Sequence, residues 1–169
     1  MDSTGGADTT YRMFVSYIQK TRAYYRSLGY SKPYRWAHFD DVPFTTLRRP
    51  LSEATVTLIT TAMPARDEDA GAAAPQAVCS IAASDPPSRL STHGLFWDRQ
   101  ATHTDDLDSF FPVHRLQELA GEGRIGRVAA RLHCVPTEYS QRRTTHRDAP
   151  ELLRRCVEDG VDAALLMPL

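Results

Sequence analysis

The strongest secondary-structure signal in the sequence is the run ATVTLITT, which occupies residues 54–61. Every position after the first carries a β-branched or aliphatic side chain. Such runs are typical of strands inside a parallel α/β sheet, where both faces are covered. Met63 and Pro64 follow, and proline ends such a strand because it cannot donate a backbone hydrogen bond. We therefore predict a buried parallel strand at residues 54–61 and a shorter strand at residues 78–82.

A helix is predicted to begin at Pro112, because proline is tolerated in the first turn of a helix. Val113, Leu116 and Leu119 recur at helical spacing and would form its buried face. Glycines follow the last of them and would end the helix. Residues 125–129 are then predicted to form a turn.

The last part of the chain predicts a strand, a helix and another strand. Residues 131–135 are predicted as the second strand of the sheet, and residues 137–143 as a polar loop. Asp148 is a natural N-cap for the next helix, since Glu151 stands three residues later. Residues 161–167 are largely apolar and predict a third buried parallel strand. The side chains expected to face the core from the second helix are Leu152, Leu153, Cys156 and Val157.

The alternation of apolar strands with helices indicates an α/β fold built on a parallel, Rossmann-like sheet. We assign this domain to residues 51–169, and an N-terminal helix with an extended arm to residues 1–50. A strand such as residues 161–167 normally leads into another helix that covers the sheet. The α/β domain is therefore expected to be incomplete at its C-terminal end.

An amphipathic helix is predicted from the threonine pair at residues 9–10 to Leu28, with Gly29 as its C-terminal cap. Tyr17, Tyr24 and Leu28 fall on one face, at steps of seven and four residues. Aromatic and aliphatic stripes of this kind usually pack against protein. We therefore expect these three side chains to lose solvent, either to the body of the protein or to a second subunit.

The charge balance excludes several classes of partner. The chain has 20 basic and 21 acidic residues, and a net charge of −1 provides no electrostatic footprint for nucleic acid or an anionic membrane. No apolar run approaches the length of a membrane-spanning helix, and the first residues lack the features of a signal peptide. The cysteines are Cys79, Cys134 and Cys156, an odd number with no C-x-x-C pair. We infer a reducing, cytoplasmic location.

Residues 102–112, THTDDLDSFFP, place one histidine and three aspartates directly before the predicted helix. These residues are His103, Asp105, Asp106 and Asp108. Acidic turns that cap a helix are common, so one interpretation is that they are solvated capping residues. The start of a helix is also a place where ligands bind, because free N–H groups and the helix dipole meet there. The loop is therefore the first candidate site.

Three segments resemble the selenoprotein B-type subunits of glycine, sarcosine and betaine reductases and of D-proline reductase. The first is PFTTLRRPLSEA at residues 43–54, which is similar to the segment that enters that family's first strand. The second covers residues 103–126 and contains HTDD, FPVHRLQEL and EGRIG, like the family's His/Asp loop and following helix. The third is EDGVDAALL at residues 158–166, which is similar to the strand before the family's redox motif.

The resemblance implies an oxidoreductase that reductively cleaves a carbon–nitrogen or related bond with a selenolate or thiolate nucleophile. It implies that His103 is the acid/base or electrostatic partner of that nucleophile. Asp105 and Asp106 would orient this histidine. These three residues are the predicted catalytic set.

Three further residues are predicted to bind a small amine substrate. Asp108 belongs to the acidic loop, and an acidic pocket attracts a cation. Glu138 and Tyr139 follow the predicted strand at residues 131–135, and ligands bind beyond the carboxyl ends of parallel strands.

The expected nucleophile is not among residues 1–169. The family carries a selenocysteine- or cysteine-x-x-Cys motif just after the strand that resembles residues 161–167, and the sequence stops at Leu169. No cofactor is therefore expected within this chain, and the selenocysteine or cysteine pair is expected downstream. We predict that the gene continues beyond the Leu169 codon, past a UGA codon that ordinary translation reads as termination.

Two other functions fit the same residues. In one, the chain is a non-catalytic subunit that pairs with a catalytic reductase subunit or forms a homo-oligomer. In the other, it is a hydrolase in which His103, Asp105 and Asp108, with His93 nearby, hold a metal ion. Their spacing matches no established metal-binding motif.

Overall fold

The computed structural model divides the chain into two compact units, residues 1–42 and residues 43–169. The residues that the structure describes are 17–32, 35, 37–43, 45–65, 77–92, 95, 103–137 and 140–169. Within these ranges, no helix is long and apolar enough to cross a membrane.

The first unit contains helix α1, Tyr17–Ser27. Gly29 follows with a φ of 85°, the left-handed conformation that glycine adopts without strain at the end of a helix. The end of the predicted helix is thereby confirmed. Its predicted start at residues 9–10 lies outside the described residues.

The aromatic face of α1 is more exposed than the sequence predicts. Tyr24 and Leu28 are 49% and 55% exposed, and the side chain of Tyr17 lies outside the described residues. The ring of Tyr25 contacts the rings of Tyr24 and Tyr30 edge to face, with centroids 5.8 Å apart in each pair. The aromatic rings of this unit thus pack locally against each other, and burial of the face against a second subunit stays a prediction.

The second unit is built on a five-stranded sheet and a separate two-stranded one. In chain order the strands are β1 (Thr55–Thr60), β2 (Met63–Pro64), β3 (Cys79–Ala82), β4 (Leu90–Ser91), β5 (Arg127–Val128), β6 (Arg131–Cys134) and β7 (Ala163–Met167). Strands β5, β6 and β7 run parallel to β1, whereas β3 runs antiparallel to β6. Strands β2 and β4 form the antiparallel two-stranded sheet. The predicted α/β fold with a mostly parallel sheet is confirmed.

Strand β1 lies in the interior of the large sheet. Its first two residues pair with β5 and its last two with β6, while β7 pairs with it from Val56 to Thr60. A strand has two hydrogen-bonding edges, so β5 and β6 share one edge of β1 and β7 occupies the other. The order across the sheet is therefore β3, then β6 with β5, then β1, then β7.

One face of the sheet carries the hydrophobic core. Val56, Leu58 and Leu132 project from this face and are at most 3% exposed. Helix α2, Val113–Gly121, packs its apolar side against them, together with the fully buried Phe111. Each aliphatic side chain buried in this way contributes about 1.5–3 kcal/mol to the stability of the fold.

Helix α2 confirms the apolar face predicted for it. Val113 and Leu116 are buried, and Leu119 is half-buried against the core. Pro112 stands just before the helix, as its N-cap residue, and not in its first turn. The preceding 3-10 turn, Leu107–Ser109, anchors the acidic loop to the core through its buried leucine.

One helical stretch connects β6 to β7. It consists of α3 (Gln141–Arg143), a π-helical turn (Thr144–Asp148) and α4 (Ala149–Glu158). Ser140 caps it, because its hydroxyl accepts a hydrogen bond from the N–H of Arg143 at 3.3 Å. The polar loop predicted at residues 137–143 is therefore wrong from Gln141 onwards.

Two predicted capping roles in this stretch are wrong. Asp148 lies inside the helical stretch and is 2% exposed, and its Oδ1 accepts a hydrogen bond from Arg147 Nε at 2.8 Å. Glu151 forms ion pairs with Arg154 and Arg155, at 2.8 and 2.7 Å, and caps nothing. These two guanidinium groups lower the pKa of the Glu151 carboxyl to about 2.

The predicted core face of α4 is confirmed only in part. Leu152 and Cys156 are half-buried, whereas Leu153 and Val157 are 65% and 70% exposed. Arg155 faces the sheet instead and donates a hydrogen bond to a serine of β3 at 2.7 Å. The helix packs here on a polar face of the sheet, so apolar spacing does not identify its buried side.

Residues 125–129 contain a strand where the sequence predicts a turn. The N–H of Gly126 donates to the carbonyl of Leu51 at 3.1 Å, and the N–H of Arg127 donates to that of Ala54 at 3.1 Å. These bonds align β5 with the start of β1. The turn was predicted from local composition, whereas the strand is stabilised by pairing with a distant part of the chain.

Strand β7 is parallel, as predicted, but it is not buried. Leu165 and Leu166 are 43% and 69% exposed. Within β7, only its first and last residues, Ala163 and Met167, pack against the core. The outer edge of β7 pairs with no strand in the part of the chain that the structure describes. Strand β7 is thus an edge strand with an exposed apolar surface.

Gly126→Ala is expected to destabilise the fold by about 1–3 kcal/mol, the usual range for overpacking. An added Cβ would overlap the backbone of Glu53, lying 2.5 Å from its carbonyl oxygen and 2.8 Å from the nitrogen of Ala54. Gly121→Ala is the control, since an added Cβ there meets no described atom within 4 Å. Urea unfolding followed by circular dichroism measures both, and equal stabilities of the two variants would contradict the argument.

Candidate functional site

The carboxyl ends of the parallel strands lie together at one end of the sheet, which we call the carboxyl edge. Threonine hydroxyl groups lie there. In open α/β sheets, ligands bind beyond this edge. Thr61 follows β1, and its Oγ1 accepts a hydrogen bond from the N–H of Leu169, just after β7, at 2.9 Å. Thr137 follows β6, and its Oγ1 is buried without a hydrogen-bond partner among the described residues. The ends of three parallel strands thus bring backbone and hydroxyl groups to one edge.

A series of short contacts connects the acidic loop to this edge. Strand β2 begins two residues after Thr61 and pairs with β4. Thr92 follows β4, and its Oγ1 lies 3.3 Å from Oγ1 of Thr104. Thr104 is the second residue of the loop, next to His103. The loop is therefore linked to the segment that leaves the carboxyl end of β1.

The three predicted catalytic residues lie close together, but they face solvent. The side chains of His103 and Asp105 are 72% and 93% exposed, and His103 Nδ1 lies 3.6 Å from Asp105 Oδ2. Asp106 caps the turn Leu107–Ser109, because its Oδ1 accepts a hydrogen bond from the N–H of Asp108 at 3.0 Å. Asp106 therefore has the capping role that was the alternative interpretation of the loop.

Asp108 contacts His114, a pair that the sequence did not indicate. Asp108 Oδ1 accepts a hydrogen bond from the backbone N–H of His114 at 3.0 Å, and Oδ2 lies 2.7 Å from His114 Nδ1. A carboxylate at Nδ1 holds the proton on that nitrogen, so Nε2 of the neutral ring accepts protons. The Asp108 side chain is 19% exposed and that of His114 51%. The arrangement is an oriented imidazole that solvent can reach.

Three residues predicted for substrate or metal binding, Glu138, Tyr139 and His93, lie outside the described residues. Among the residues that are described, no group of three or more His, Cys, Asp or Glu side chains is arranged to hold a metal ion. The carboxylate of Asp108 is instead engaged by His114. The geometry therefore gives no support to the hydrolase alternative.

A second polar cluster lies on the face of the sheet under α4. His133 is fully buried on β6, and its Nδ1 lies 3.0 Å from Ser80 Oγ. Ser80 also accepts a hydrogen bond from Arg155 Nη1 at 2.7 Å, which leaves its own proton free to be donated to His133 Nδ1. His133 Nε2 has no partner among the described residues. Beside it, Arg131 binds Asp159 through two nitrogens, at 2.8 and 2.9 Å.

The cluster lowers the pKa of both His133 and Asp159. Burial lowers the pKa of His133, and the positive charges of Arg131 and Arg155 lower it further. The hydrogen bonds from Arg131 lower the pKa of Asp159. His133 is therefore neutral near neutral pH, and its role is structural.

A hollow of about 20 Å³ lies in the first unit, where it has room for a single water molecule. The residues that line it are Arg22, Tyr25, Arg26, Tyr30, Ser31 and Lys32. A substrate needs far more space, so we do not place the site there.

A scan against protein-family models, a search of curated proteins and a search of solved structures each found no match to this chain. The functional argument therefore depends on the residues of this chain and their geometry.

The buried His133 is expected to make stability depend on pH. Its folded pKa lies below the unfolded value of about 6.5, so the unfolded chain binds more protons between the two values. The stability that neutral His133 contributes is fully present above about pH 7 and is lost as the pH falls below about 6.5. The free energy of unfolding then changes by at most about 1.4 kcal/mol per pH unit.

Urea unfolding between about pH 7.5 and 5.5 measures that slope. His133→Asn keeps an acceptor for Ser80 but does not titrate, so the slope should become shallower. His146→Asn, which replaces an exposed histidine, should leave the wild-type slope in place. The same slope in wild type and His133→Asn would refute the assignment.

Proposed function

We propose that residues 43–169 form the scaffold and the His/Asp loop of an oxidoreductase similar to the selenoprotein B-type subunits of glycine, betaine, sarcosine and D-proline reductases. The observation that carries this proposal is the link from the His103–Asp108 loop, through the contact of Thr104 with Thr92 and the pairing of β4 with β2, to the segment that follows Thr61. The chain leaves β7 at the carboxyl edge, where Leu169 contacts Thr61. A nucleophile motif that follows β7 would therefore begin beside the edge to which the loop is connected.

In this proposal, the chain supplies acid/base groups and substrate contacts but not the nucleophile. A selenolate or thiolate from outside residues 1–169 attacks the substrate carbon, the C–N bond breaks and the amine leaves; a histidine supplies the proton where the leaving nitrogen departs from a neutral amine. His103 is predicted from the sequence to be the acid/base or electrostatic partner of the nucleophile, and the geometry adds His114, whose ring is oriented by Asp108, as a proton donor. The carboxylates of Asp105 and Asp108 favour a small cationic amine substrate. Glu138 and Tyr139 remain predicted contributors to its binding.

The finer structural and cellular details belong to the same proposal. We infer a Rossmann-like arrangement of the parallel sheet, with α2 on one face and α4 on the other. The three cysteines are reduced thiols, which agrees with the cytoplasmic location inferred from the sequence. No cofactor is assigned to residues 1–169, and the selenocysteine or cysteine pair is expected downstream of Leu169.

A non-catalytic role is the second candidate, and strand β7 favours it. Leu165 and Leu166 are exposed on β7, and its outer edge has unpaired backbone groups with respect to the described strands. Such an edge favours pairing with another strand. The chain would then act as a subunit that pairs with a catalytic reductase subunit, or as a homo-oligomer.

Activity is expected when the gene is expressed with the sequence that follows the Leu169 codon, in a host that inserts selenocysteine at UGA. The assay is dithiol-dependent C–N cleavage, measured as release of ammonia or amine from glycine, sarcosine and betaine, and as ring opening of D-proline to an open-chain amino acid. His103→Ala and His114→Ala should each reduce the rate by about 10²–10⁴-fold, the usual contribution of acid/base catalysis.

His38→Ala is a matched control for this test. His38 is an exposed histidine whose Nε2 lies 3.0 Å from Asp40 Oδ1, in a His/Asp pair of the first unit that has no role in the proposal. Its replacement should leave the rate unchanged. Absence of activity with all four amines, or full activity of both His103→Ala and His114→Ala, would refute the reductase proposal.

Leu166→Glu is expected to weaken association through β7 without destabilising the fold, because this side chain is 69% exposed. Sedimentation velocity over a range of concentrations measures the association. Leu47→Glu replaces another exposed leucine, outside any helix or strand, and should behave as wild type. A wild-type chain that stays monomeric and captures no reductase subunit would argue against the second candidate.

A further inference from the structure

Cys79 and Cys134 stand directly opposite each other in the antiparallel ladder of β3 and β6. Residues that face each other in such a ladder project to the same side of the sheet, here the side of the core. Cys134 is fully buried and Cys79 is half-buried. The two thiols are close enough for Cys79 to raise the pKa of Cys134, and both are free. No local sequence pattern indicates this pair, because the two cysteines are far apart along the chain.

The position of the pair in the ladder determines whether a disulfide fits. The N–H of Ala83 donates to the carbonyl of Ala130, its opposite residue, at 3.0 Å. Hydrogen-bonded and non-hydrogen-bonded pairs alternate along an antiparallel ladder. Cys79 is four residues before Ala83, so the cysteines also occupy a hydrogen-bonded position.

Opposite Cα atoms at such a position are about 5.5 Å apart, inside the range of disulfides. Their Cβ atoms are about 4.5–5.5 Å apart, whereas a disulfide needs about 3.5–4.5 Å. The two strands must therefore draw together by about 1 Å at this point. A bond formed with such an adjustment is strained, and strained disulfides are easily reduced.

We propose that Cys79 and Cys134 form a redox-responsive dithiol, which is converted to an intramolecular disulfide by exchange with a low-molecular-weight disulfide. The proposal concerns residues of this chain alone. It does not depend on the nucleophile or the substrate of the proposed reductase.

The exchange has two steps, and exposure determines their order. The Cys79 thiolate, which solvent can reach, attacks one sulfur of the small disulfide, forms a mixed disulfide and releases one small thiol. Cys134 then loses its proton, attacks Sγ of Cys79 and releases the second small thiol. Two protein thiols are oxidised, and one small disulfide is reduced to two thiols.

The hydrogen bond to Cys79 and the burial of Cys134 both raise the pKa of the Cys134 thiol. Cys134 is therefore a poor nucleophile toward a small disulfide in solution, which leaves the first step to Cys79.

The bond would fix an outer strand next to the candidate site. Strand β3 lies at one end of the five-stranded sheet, and β6 is its partner there. Cys134 is the last residue of β6 and is in register with Thr60, the last residue of β1. Oxidation therefore ties the start of β3 to the carboxyl edge, close to Thr61 and Thr137.

The test is to equilibrate the full chain with glutathione and glutathione disulfide at a series of ratios. Remaining thiols are then trapped by alkylation, and intact masses and proteolytic peptides are measured. The expected result is a species that has lost two alkylatable thiols together, with a peptide that links Cys79 to Cys134. Excess dithiothreitol should restore all three thiols. Cys156→Ser, which replaces the half-buried cysteine of α4, should oxidise like wild type.

Single replacements separate the two roles. Cys79→Ser should abolish both the linked peptide and the mixed disulfide at residue 134. Cys134→Ala should accumulate the glutathione mixed disulfide at Cys79, because the second step is missing. Circular dichroism checks that each variant is folded. If a variant is unfolded, the peptide map of the wild-type chain tests the proposal by itself. The proposal is overturned if wild type forms only mixed disulfides, links Cys156 instead, or stays fully reduced at ratios that oxidise the urea-unfolded chain.

Discussion

The backbone of β1 is the constraint on which the second unit depends. Five of its six residues are buried, so its N–H and C=O groups need partners within the protein. Strand β7 supplies them along one edge, and β5 and β6 along the other. Asp162 satisfies the backbone groups of Thr55, the first residue of β1, with two hydrogen bonds of 2.9 Å. Its Oδ2 accepts from the N–H of Thr55, and its own N–H donates to the Thr55 carbonyl. The positions of the other strands follow from this requirement.

The sequence predicted the elements whose signal is local and whose surroundings are apolar. The strands β1 and β6 and the buried side of α2 belong to this group, since each packs in the common core. The predictions for α4 and β7 were less accurate for a physical reason. Helix α4 packs over Arg131 and His133, so polar residues such as Arg155 face the sheet. The composition of β7 indicates a strand, but it does not reveal which neighbours lie beside that strand.

For the candidate site, too, the sequence predicted features set by neighbouring residues and missed contacts between residues that are distant along the chain. The sequence identified the acidic loop before α2, because a cluster of charged residues at a helix start is visible in any short window. The contact of Asp108 with His114 depends on where that helix begins, which sets the direction of the histidine ring. A sharper signal was available: an acidic residue just before an FPxH start can reach the first turn of the helix. The opposition of Cys79 and Cys134 depends on strand register, and no local pattern encodes it.

The π-helical turn Thr144–Asp148 changes the rotational phase of the helix that contains it. Each residue of an α-helix advances about 100° around the axis, and a π turn takes up one residue more than an α turn. Side chains before and after the turn therefore follow two stripes that are offset by about this angle. A single helical wheel drawn over residues 141–158 superimposes two different faces. Deletion of one residue from the turn would rotate Ser140 around the axis relative to α4, with little change in the length or composition of the helix.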